Sequence, residues 1–220
     1  MATMSSTDRR RFDACFAAVR SIAPEAIIDS SNRHAYNITM LKKGSVFRYD
    51  RDIYLVNGVA TYKETSDDFT KERDCVVTEL TLFSLTTGET RYIEWEKDDT
   101  IEVCFTTAKV KARDLRSRLT YDDGSAVNVD DDADDWADDQ ETLVFLGKSY
   151  DYVDDWAARY QSDDGRTHYA YFYEFEADDG TYLTVEAWSE TGKEGGAWDY
   201  EVYISVPVGS SEIEVISLGE

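Results

Sequence analysis

Residues Tyr171 to Trp188 read YFYEFEADDGTYLTVEAW, and this stretch decides the fold class of the chain. Aromatic and β-branched residues lead up to Asp178-Asp179-Gly180 and continue beyond it. This pattern is typical of two antiparallel strands joined by a tight turn. A similar pattern surrounds Gly88, so the sequence predicts two related hairpins in a mostly β protein.

The similarity between the two hairpins extends to the strands before them, which indicates an internal duplication. Gly44, Phe47, Tyr49, Asp52 and Ile53 superpose on Gly147, Tyr150, Tyr152, Asp155 and Trp156, and at a second offset Tyr92, Ile93, Trp95 and Glu96 superpose on Tyr182, Leu183, Val185 and Glu186. Each half then reads as a glycine, a strand, a tight turn, a strand and a long hairpin that ends in a glutamate. We expect internally duplicated antiparallel sheets that form a β-sandwich or a barrel-like body. A chance alignment of aromatic hairpins is the alternative.

One amphipathic α-helix is predicted before the strands. Apolar residues recur there at helical spacing until Pro24, namely Phe12, Cys15, Phe16, Val19 and Ile22. The apolar stripe is expected to dock on the sheet, although Arg9 to Arg11 leave a membrane-surface helix as an alternative.

Four segments follow from these patterns. Residues 1–37 form the helix and a connector, 38–120 the first β half, 121–141 an acidic insertion or linker, and 142–220 the second β half. We expect the two halves to pack as one domain. Residues 121–141 contain ten acidic and no basic residues, so this segment is predicted to be solvated.

The net charge of −23 is confined to the second half of the chain. Residues 1–118 carry 19 Lys and Arg and 19 Asp and Glu, whereas residues 119–220 carry 4 and 27. Such a polarised chain favours a basic protein partner or a polycationic ligand and disfavours direct nucleic-acid binding. The alternative is that the acidic residues only keep a tyrosine-rich sheet protein in solution.

The cysteines and the hydropathy of the chain indicate which cellular compartment to expect. Cys15, Cys75 and Cys104 are odd in number and lack metal-binding spacing, which favours free thiols in a reducing, cytoplasmic environment. No apolar run is long enough for a transmembrane helix. The start Arg9-Arg10-Arg11-Phe12 faintly resembles a twin-arginine export signal, but Asp13 and Arg20 interrupt the apolar region that such a signal needs.

The acidic segment contains a partial match to a calcium loop of the EF-hand type. Its candidate ligands are Asp130, Asp132, Asp134, Asp138 and Glu141. Because Asp135 stands where the loop needs glycine, and because the flanks do not read as two helices, we predict no metal site and no cofactor.

Glu96 and Glu186 end the two matching hairpins, beside Trp95 and Trp188, and these four residues are the candidate binding residues. Duplication could bring the two carboxylates together, where they could do acid–base work or bind a cation such as a polyamine. Their simpler role is to form salt bridges or to mark a solvent-facing strand position. The only histidines, His34 and His168, lie in no catalytic motif, so no catalytic residue and no enzymatic activity are predicted.

From Met40 to Ile216 the chain resembles the uncharacterised family of domain of unknown function 4178. The resemblance lies in the glycine-led opening Leu41 to Tyr54, the hairpin Gly88 to Glu96, the run Tyr182 to Trp188 and the strand Glu201 to Val206. Members are often found near polyamine-synthesis genes and phage-shock-type membrane-stress proteins. The resemblance implies an accessory or binding protein and carries over no catalytic residues.

The leading functional hypothesis is therefore a non-enzymatic, intracellular binding or adaptor protein whose acidic C-terminal half docks a basic partner. An acidic nucleic-acid mimic that inhibits a DNA-binding or defence enzyme is the first alternative, because carboxylates can imitate phosphates. A carbohydrate-binding β-domain is the second, prompted by the abundance of Tyr, Trp and Asp.

Overall fold

The structure, a computed structural model, describes residues 6–111, 118–192 and 198–219. It is mostly β, with an N-terminal helix α1 at Ser6–Arg20 and short helices α2 at Val129–Asp132 and α3 at Trp136–Asp139. The strands are β1 Val46–Tyr49, β2 Asp52–Thr65, β3 Glu72–Ser84, β4 Thr90–Lys97, β5 Ile101–Lys111, β6 Leu119–Tyr121, β7 Thr142–Phe145, β8 Lys148–Ser162, β9 Thr167–Glu176, β10 Tyr182–Ser189, β11 Asp199–Pro207 and β12 Glu214–Ser217. No helix in these ranges is long and apolar enough to cross a membrane.

The hairpin predicted around Gly180 is confirmed. Strands β9 and β10 pair antiparallel, from Glu176 opposite Tyr182 to Tyr169 opposite Ser189. Gly180 adopts a φ of 76°, which only glycine adopts without strain, and its N–H donates to the carbonyl of Ala177. The corresponding hairpin of β3 and β4 forms around Gly88, whose φ is 74°.

Strand pairing supports the barrel-like alternative of the predicted fold. The order of paired strands is β12-β1-β2-β3-β4-β5-β11-β10-β9-β8-β7-β6, and β2 also pairs with β8. Eight strands, β2 to β5 and β8 to β11, therefore close a ring of pairings, which is the connectivity of a barrel.

The same order agrees with the predicted duplication. Strands β1 to β5 form one meander and β7 to β11 form another, and the two meet where β5 pairs with β11. The sixth strand of each half pairs with the first strand of the other half, since β6 pairs with β7 and β12 pairs with β1. A duplicated six-strand unit that exchanges its last strand would give this order.

One detail of the predicted duplication is wrong. The superposition of Gly147 to Trp156 on Gly44 to Ile53 implies a tight turn near Val153, but β8 is one continuous strand there. The register against β9 shifts between Tyr152 and Asp154, so the extra residue is absorbed as a bulge that leaves Val153 half-exposed. The tight turn of this half lies earlier, at Leu146 and Gly147 between β7 and β8, where φ is 53° and 80°.

The chain divides into two compact units that are interleaved along the sequence. The first comprises residues up to Ala60, Thr78–Val103 and the segment from Val208; the second comprises Thr61–Val77 and Cys104–Pro207. In the first unit α1 docks on the sheet as predicted: Cys15 is buried against Val46, Leu55 and Phe83.

The core of the second unit includes three residues of the segment 121–141, which was predicted to be solvated: Val127, Ala133 and Trp136 are buried, whereas most of the other described residues of the segment are exposed. Trp136 is fully buried, and its ring packs edge-on against Tyr173 and Phe175, with centroids 5.1 and 5.5 Å away. Leu183 and Val185 of β10 belong to the same apolar cluster. The acidic composition of residues 121–141 did not predict this contact, because one large apolar side chain is enough to hold an otherwise polar segment against the core.

Candidate functional site

The candidate site lies on the face of β10 that is opposite to the apolar core of the second unit. Side chains alternate along a strand, so Leu183 and Val185 enter the core while Thr184, Glu186 and Trp188 share the other face. Glu186 is only 4% exposed, which is unusual for a carboxylate.

Strand register brings two more glutamates to this face. Glu186 lies opposite Phe172 of β9 on one side and opposite Glu201 of β11 on the other. Thr184 lies opposite Glu174 of β9 in the same way. Because directly opposite residues point to the same face, Glu174, Glu186 and Glu201 stand on three adjacent strands of one surface.

Each of these glutamates accepts a hydrogen bond from an aromatic side chain. The Trp156 indole N–H donates to Oε1 of Glu174, and the Trp188 indole N–H donates to Oε2 of Glu186, both at 2.8 Å. The Tyr203 hydroxyl donates to Oε2 of Glu201, also at 2.8 Å. We call these six residues the glutamate–aromatic face.

A lysine completes one edge of the glutamate–aromatic face. The Lys109 ammonium lies 2.5 Å from Oε2 of Glu201 and 4.8 Å from the centre of the Tyr203 ring. It therefore makes both an ion pair and a cation–π contact, which shows that this carboxylate and this ring can accommodate an ammonium group together.

Aromatic rings surround Trp188. The ring centres of Tyr160, Tyr62 and Phe172 lie 5.3, 6.0 and 6.5 Å from the indole, and the His168 ring lies 6.5 Å away. Tyr62 and Phe172 are buried, at 2% and 3% exposure, while Trp188, Tyr160 and His168 remain partly exposed. Across the same face, Trp156 stacks on Phe172 with centroids 4.1 Å apart.

Of the four predicted binding residues, the structure brings together Glu186 and Trp188 through their hydrogen bond. Glu96 and Trp95 lie on β4 in the other unit. The Trp95 indole nitrogen is buried and has no hydrogen-bond partner within the described residues.

The strands also revise which glutamates correspond in the two hairpins. Both β4 and β10 begin two residues after the turn glycine, at Gly88 and Gly180. Glu94 lies six residues after the first glycine, as Glu186 lies six residues after the second. The position equivalent to Glu186 is therefore Glu94, on the same strand face as Glu96.

Sequence reasoning missed Glu174, Glu201, Trp156 and Tyr203. The alternation Phe172, Glu174 along β9 and Glu201, Tyr203 along β11 was visible, but it does not say which strands are neighbours. Only the register of β9, β10 and β11 makes these residues one surface.

Among the candidate calcium ligands, Asp132 has a structural role. Oδ2 of Asp132 accepts hydrogen bonds from the Tyr121 hydroxyl at 2.9 Å and from the Asn128 N–H at 2.8 Å. The side chains of Asp130 and Asp134 lie outside the described set. Within the described residues, no group of three or more His, Cys, Asp or Glu side chains could hold a metal ion.

Comparison with known proteins agrees with the resemblance seen in the sequence. Searches of curated proteins and of solved structures gave no match. The model of the family described as "Domain of unknown function (DUF4178)" matches residues 42–204, which is most of the chain and includes the whole glutamate–aromatic face. The chain therefore belongs to this family.

Proposed function

We propose that the protein is a non-enzymatic, cytoplasmic binding or adaptor protein whose acidic second half takes a basic protein partner or a polycationic ligand. The observation that carries this proposal is the glutamate–aromatic face, where Glu174, Glu186 and Glu201 lie on adjacent strands. An accessory role in membrane-stress or polyamine-related systems belongs to the same proposal, because the family resemblance implies it.

The chemistry of the glutamate–aromatic face supports a cationic partner. Indole and phenol groups are neutral donors, so these hydrogen bonds orient the carboxylates without themselves adding a positive charge, while Lys109 pairs with Glu201 at one edge of the face. The excess of acidic residues in 119–220 adds a long-range negative potential, which attracts cations and repels polyanions.

The intracellular and non-enzymatic parts of the proposal rest on other side chains. The cysteines at 15, 75 and 104 form no disulfide within the described residues, as a reducing compartment favours. His168, the histidine nearest to the glutamate–aromatic face, has aromatic neighbours at Tyr160 and Trp188, which suits a packing role.

A binding titration with defined peptides tests the proposal. Fluorescence anisotropy of labelled nona-lysine should report binding at 50 mM NaCl that weakens strongly at 500 mM, because salt screens charge attraction. Labelled nona-glutamate serves as the control and should not bind. Equal binding of both peptides, or no response to salt, would overturn the proposal.

Charge-matched variants separate the face from the overall charge. Glu174→Gln/Glu186→Gln/Glu201→Gln removes three charges from the glutamate–aromatic face, and Asp122→Asn/Asp163→Asn/Asp178→Asn removes three from exposed turns. We expect the first variant to lose at least about tenfold more affinity for nona-lysine than the second. Equal losses would assign binding to net charge alone.

A further inference from the structure

We infer that the aromatic surface around Trp188 binds a small organic cation that carries an ammonium or guanidinium group, with Glu186 as its counter-ion. The inference rests on the proposed function and makes it specific, because it names a ligand class and the side chains that hold it. The surface comprises Trp156, Tyr160, Phe172, Trp188 and the Glu186 carboxylate.

Aromatic geometry is the first argument. Tryptophan is the best side chain for cation–π attraction, and Trp188 is partly exposed at the centre of a group of rings. Its N–H lies in the ring plane, so the bond to Glu186 does not occupy the π faces, and the part of the indole that the neighbouring rings leave exposed is the contact for a cation. The carboxylate polarises the indole to which it is bonded, which makes the ring face more negative.

Charge complementarity is the second argument. A cation over the indole face would lie beside the carboxylate that the same indole orients. One cationic group could therefore make a cation–π contact with the indole and an ion pair with the carboxylate. The contact of Lys109 with Tyr203 and Glu201 already shows this combination on the same surface. A ligand cation at Trp188 and Glu186 would repeat it one strand away.

The spacing of the carboxylates favours an organic cation over a metal ion. Glu186 and Glu174 are diagonal neighbours on β10 and β9, a relationship that places side chains about 7–8 Å apart. A metal ion needs several oxygens within about 2.6 Å, and the described residues offer no such group. Alkyl and planar parts of an organic cation would instead contact Phe172 and the indoles.

Burial favours a small ligand over a protein surface. Glu186 is 4% exposed and Phe172 is 3% exposed, so the counter-ion lies below the accessible rings. A small cation can enter between side chains, whereas a folded protein would have to present a long extended group. The proposal therefore commits to a free small molecule.

The test uses the intact chain and its own tryptophan signals. The chain contains five tryptophans, so a ¹⁵N–¹H spectrum resolves five indole N–H groups, and Trp188→Phe assigns one of them. Titration with n-butylammonium or n-butylguanidinium should shift the Trp188 signal in a saturable way and leave the signal of the fully buried Trp136 unchanged. Neutral n-butanol should shift neither.

Glu186→Gln tests the counter-ion, because glutamine keeps an oxygen acceptor for the Trp188 N–H while it removes the charge. We expect the dissociation constant for n-butylguanidinium to rise at least about tenfold, and Asp122→Asn to leave it unchanged. Circular dichroism checks that the variants fold, and Trp188→Leu, which removes the indole face and its hydrogen bond to Glu186, serves in its place if Glu186→Gln does not fold.

The outcomes distinguish this inference from the proposed function. If small cations shift no indole signal while nona-lysine still binds, the ligand class is wrong and the proposed function stands. If small cations shift the Trp136 and Trp188 signals alike, binding is not at this surface and the inference is overturned. If neither small cations nor nona-lysine bind, both proposals fail.

Discussion

Two glycines of the second unit differ in what surrounds them. Gly165 and Gly192 both have positive φ, 86° and 58°, where a residue with a Cβ is strained. A Cβ on Gly165 would meet no atom within 4 Å, whereas one on Gly192 would lie 2.7 Å from Cγ of Tyr169. A residue with a Cβ would therefore strain the backbone at both positions, but only at Gly192 would the Cβ also collide with an aromatic ring.

This difference predicts unequal effects of the same substitution. We expect Gly165→Ala to lower the free energy of unfolding by about 1 kcal/mol, from backbone strain alone. Gly192→Ala should lower it by about 1–3 kcal/mol more, because Tyr169 must move from its edge-on contact with Phe69. Urea denaturation of both variants measures the difference. Equal losses would show that Tyr169 yields without cost.

The turn of the opening hairpin contains a carboxylate whose pKa predicts a pH dependence. A hydrogen bond from Lys148, together with bonds from Thr181, lowers the pKa of Asp179 to about 2. The unfolded value is about 3.9, so the stabilisation is complete above about pH 4 and is lost as pH falls through about 2.

Asp179→Asn should therefore lower the melting temperature at pH 7, where the wild-type carboxylate is charged, and the difference should shrink steeply between about pH 4 and pH 2. Asp178→Asn is the control in the same turn, because Asp178 makes no ion pair within the described residues. Thermal unfolding of the three proteins between pH 2 and pH 7 measures the effect. A difference that is as large at pH 2 as at pH 7 would contradict the assigned cause.

The sequence identified site residues that lie close together along the chain, but it did not identify those that meet only across neighbouring strands. Glu186 and Trp188 are two residues apart, so their shared strand face followed from alternation alone. Glu174 and Glu201 join them only because β9 and β11 are the neighbours of β10 in one register. Local patterns do not encode that register, since many aromatic strands could pair in the same way.

At the scale of elements, hydrogen bonds as well as apolar packing hold the acidic segment, residues 121–141, against the second unit. The Trp136 indole N–H donates to the Tyr121 hydroxyl at 3.1 Å, which donates in turn to Asp132. Burial raises the pKa of Tyr121 to about 12, and the neighbouring Asp132 adds to this effect, so the hydroxyl stays protonated as a donor at neutral pH.

Trp136 should therefore stabilise the second unit more than its acidic neighbours suggest. We expect Trp136→Ala to lower the free energy of unfolding by about 3–5 kcal/mol, because it removes the largest fully buried side chain. Trp198→Ala should cost clearly less, since Trp198 is partly exposed and contacts Phe69 at a centroid distance of 6.2 Å. Urea unfolding compares them. Similar losses would show that the segment is only loosely attached.

Elements were predictable where local signals were strong and unpredictable where tertiary packing decides. The glycine turn between β9 and β10 was evident, because Asp-Asp-Gly demands a positive φ. Asp50-Arg51 and Val153-Asp154 looked equivalent in the superposition, yet the first is a two-residue turn and the second a bulge. Pairing of β8 with β9 on both sides of Val153 keeps that strand continuous.

For the whole molecule, charge works against folding. The described basic residues after position 118 are already engaged with acids: Lys148 with Asp179, Arg159 with Glu72, and Arg166 with Asp164. Four basic residues cannot compensate 27 acidic ones in residues 119–220, so most of the carboxylates repel one another. Compaction brings these charges closer, which lowers the free energy of unfolding.

Screening this repulsion should stabilise the protein. We expect a rise from 20 to 500 mM NaCl at pH 7 to increase the melting temperature by about 2–4 °C, equivalent to about 1 kcal/mol for a chain of this size. The increase should shrink at pH 4, where many carboxylates are protonated. Sodium sulfate at matched ionic strength controls for salting-out, since sulfate strengthens apolar burial whatever the charge of the protein. A melting temperature that falls in NaCl would mean that the ion pairs of the second unit contribute more stability than the repulsion removes.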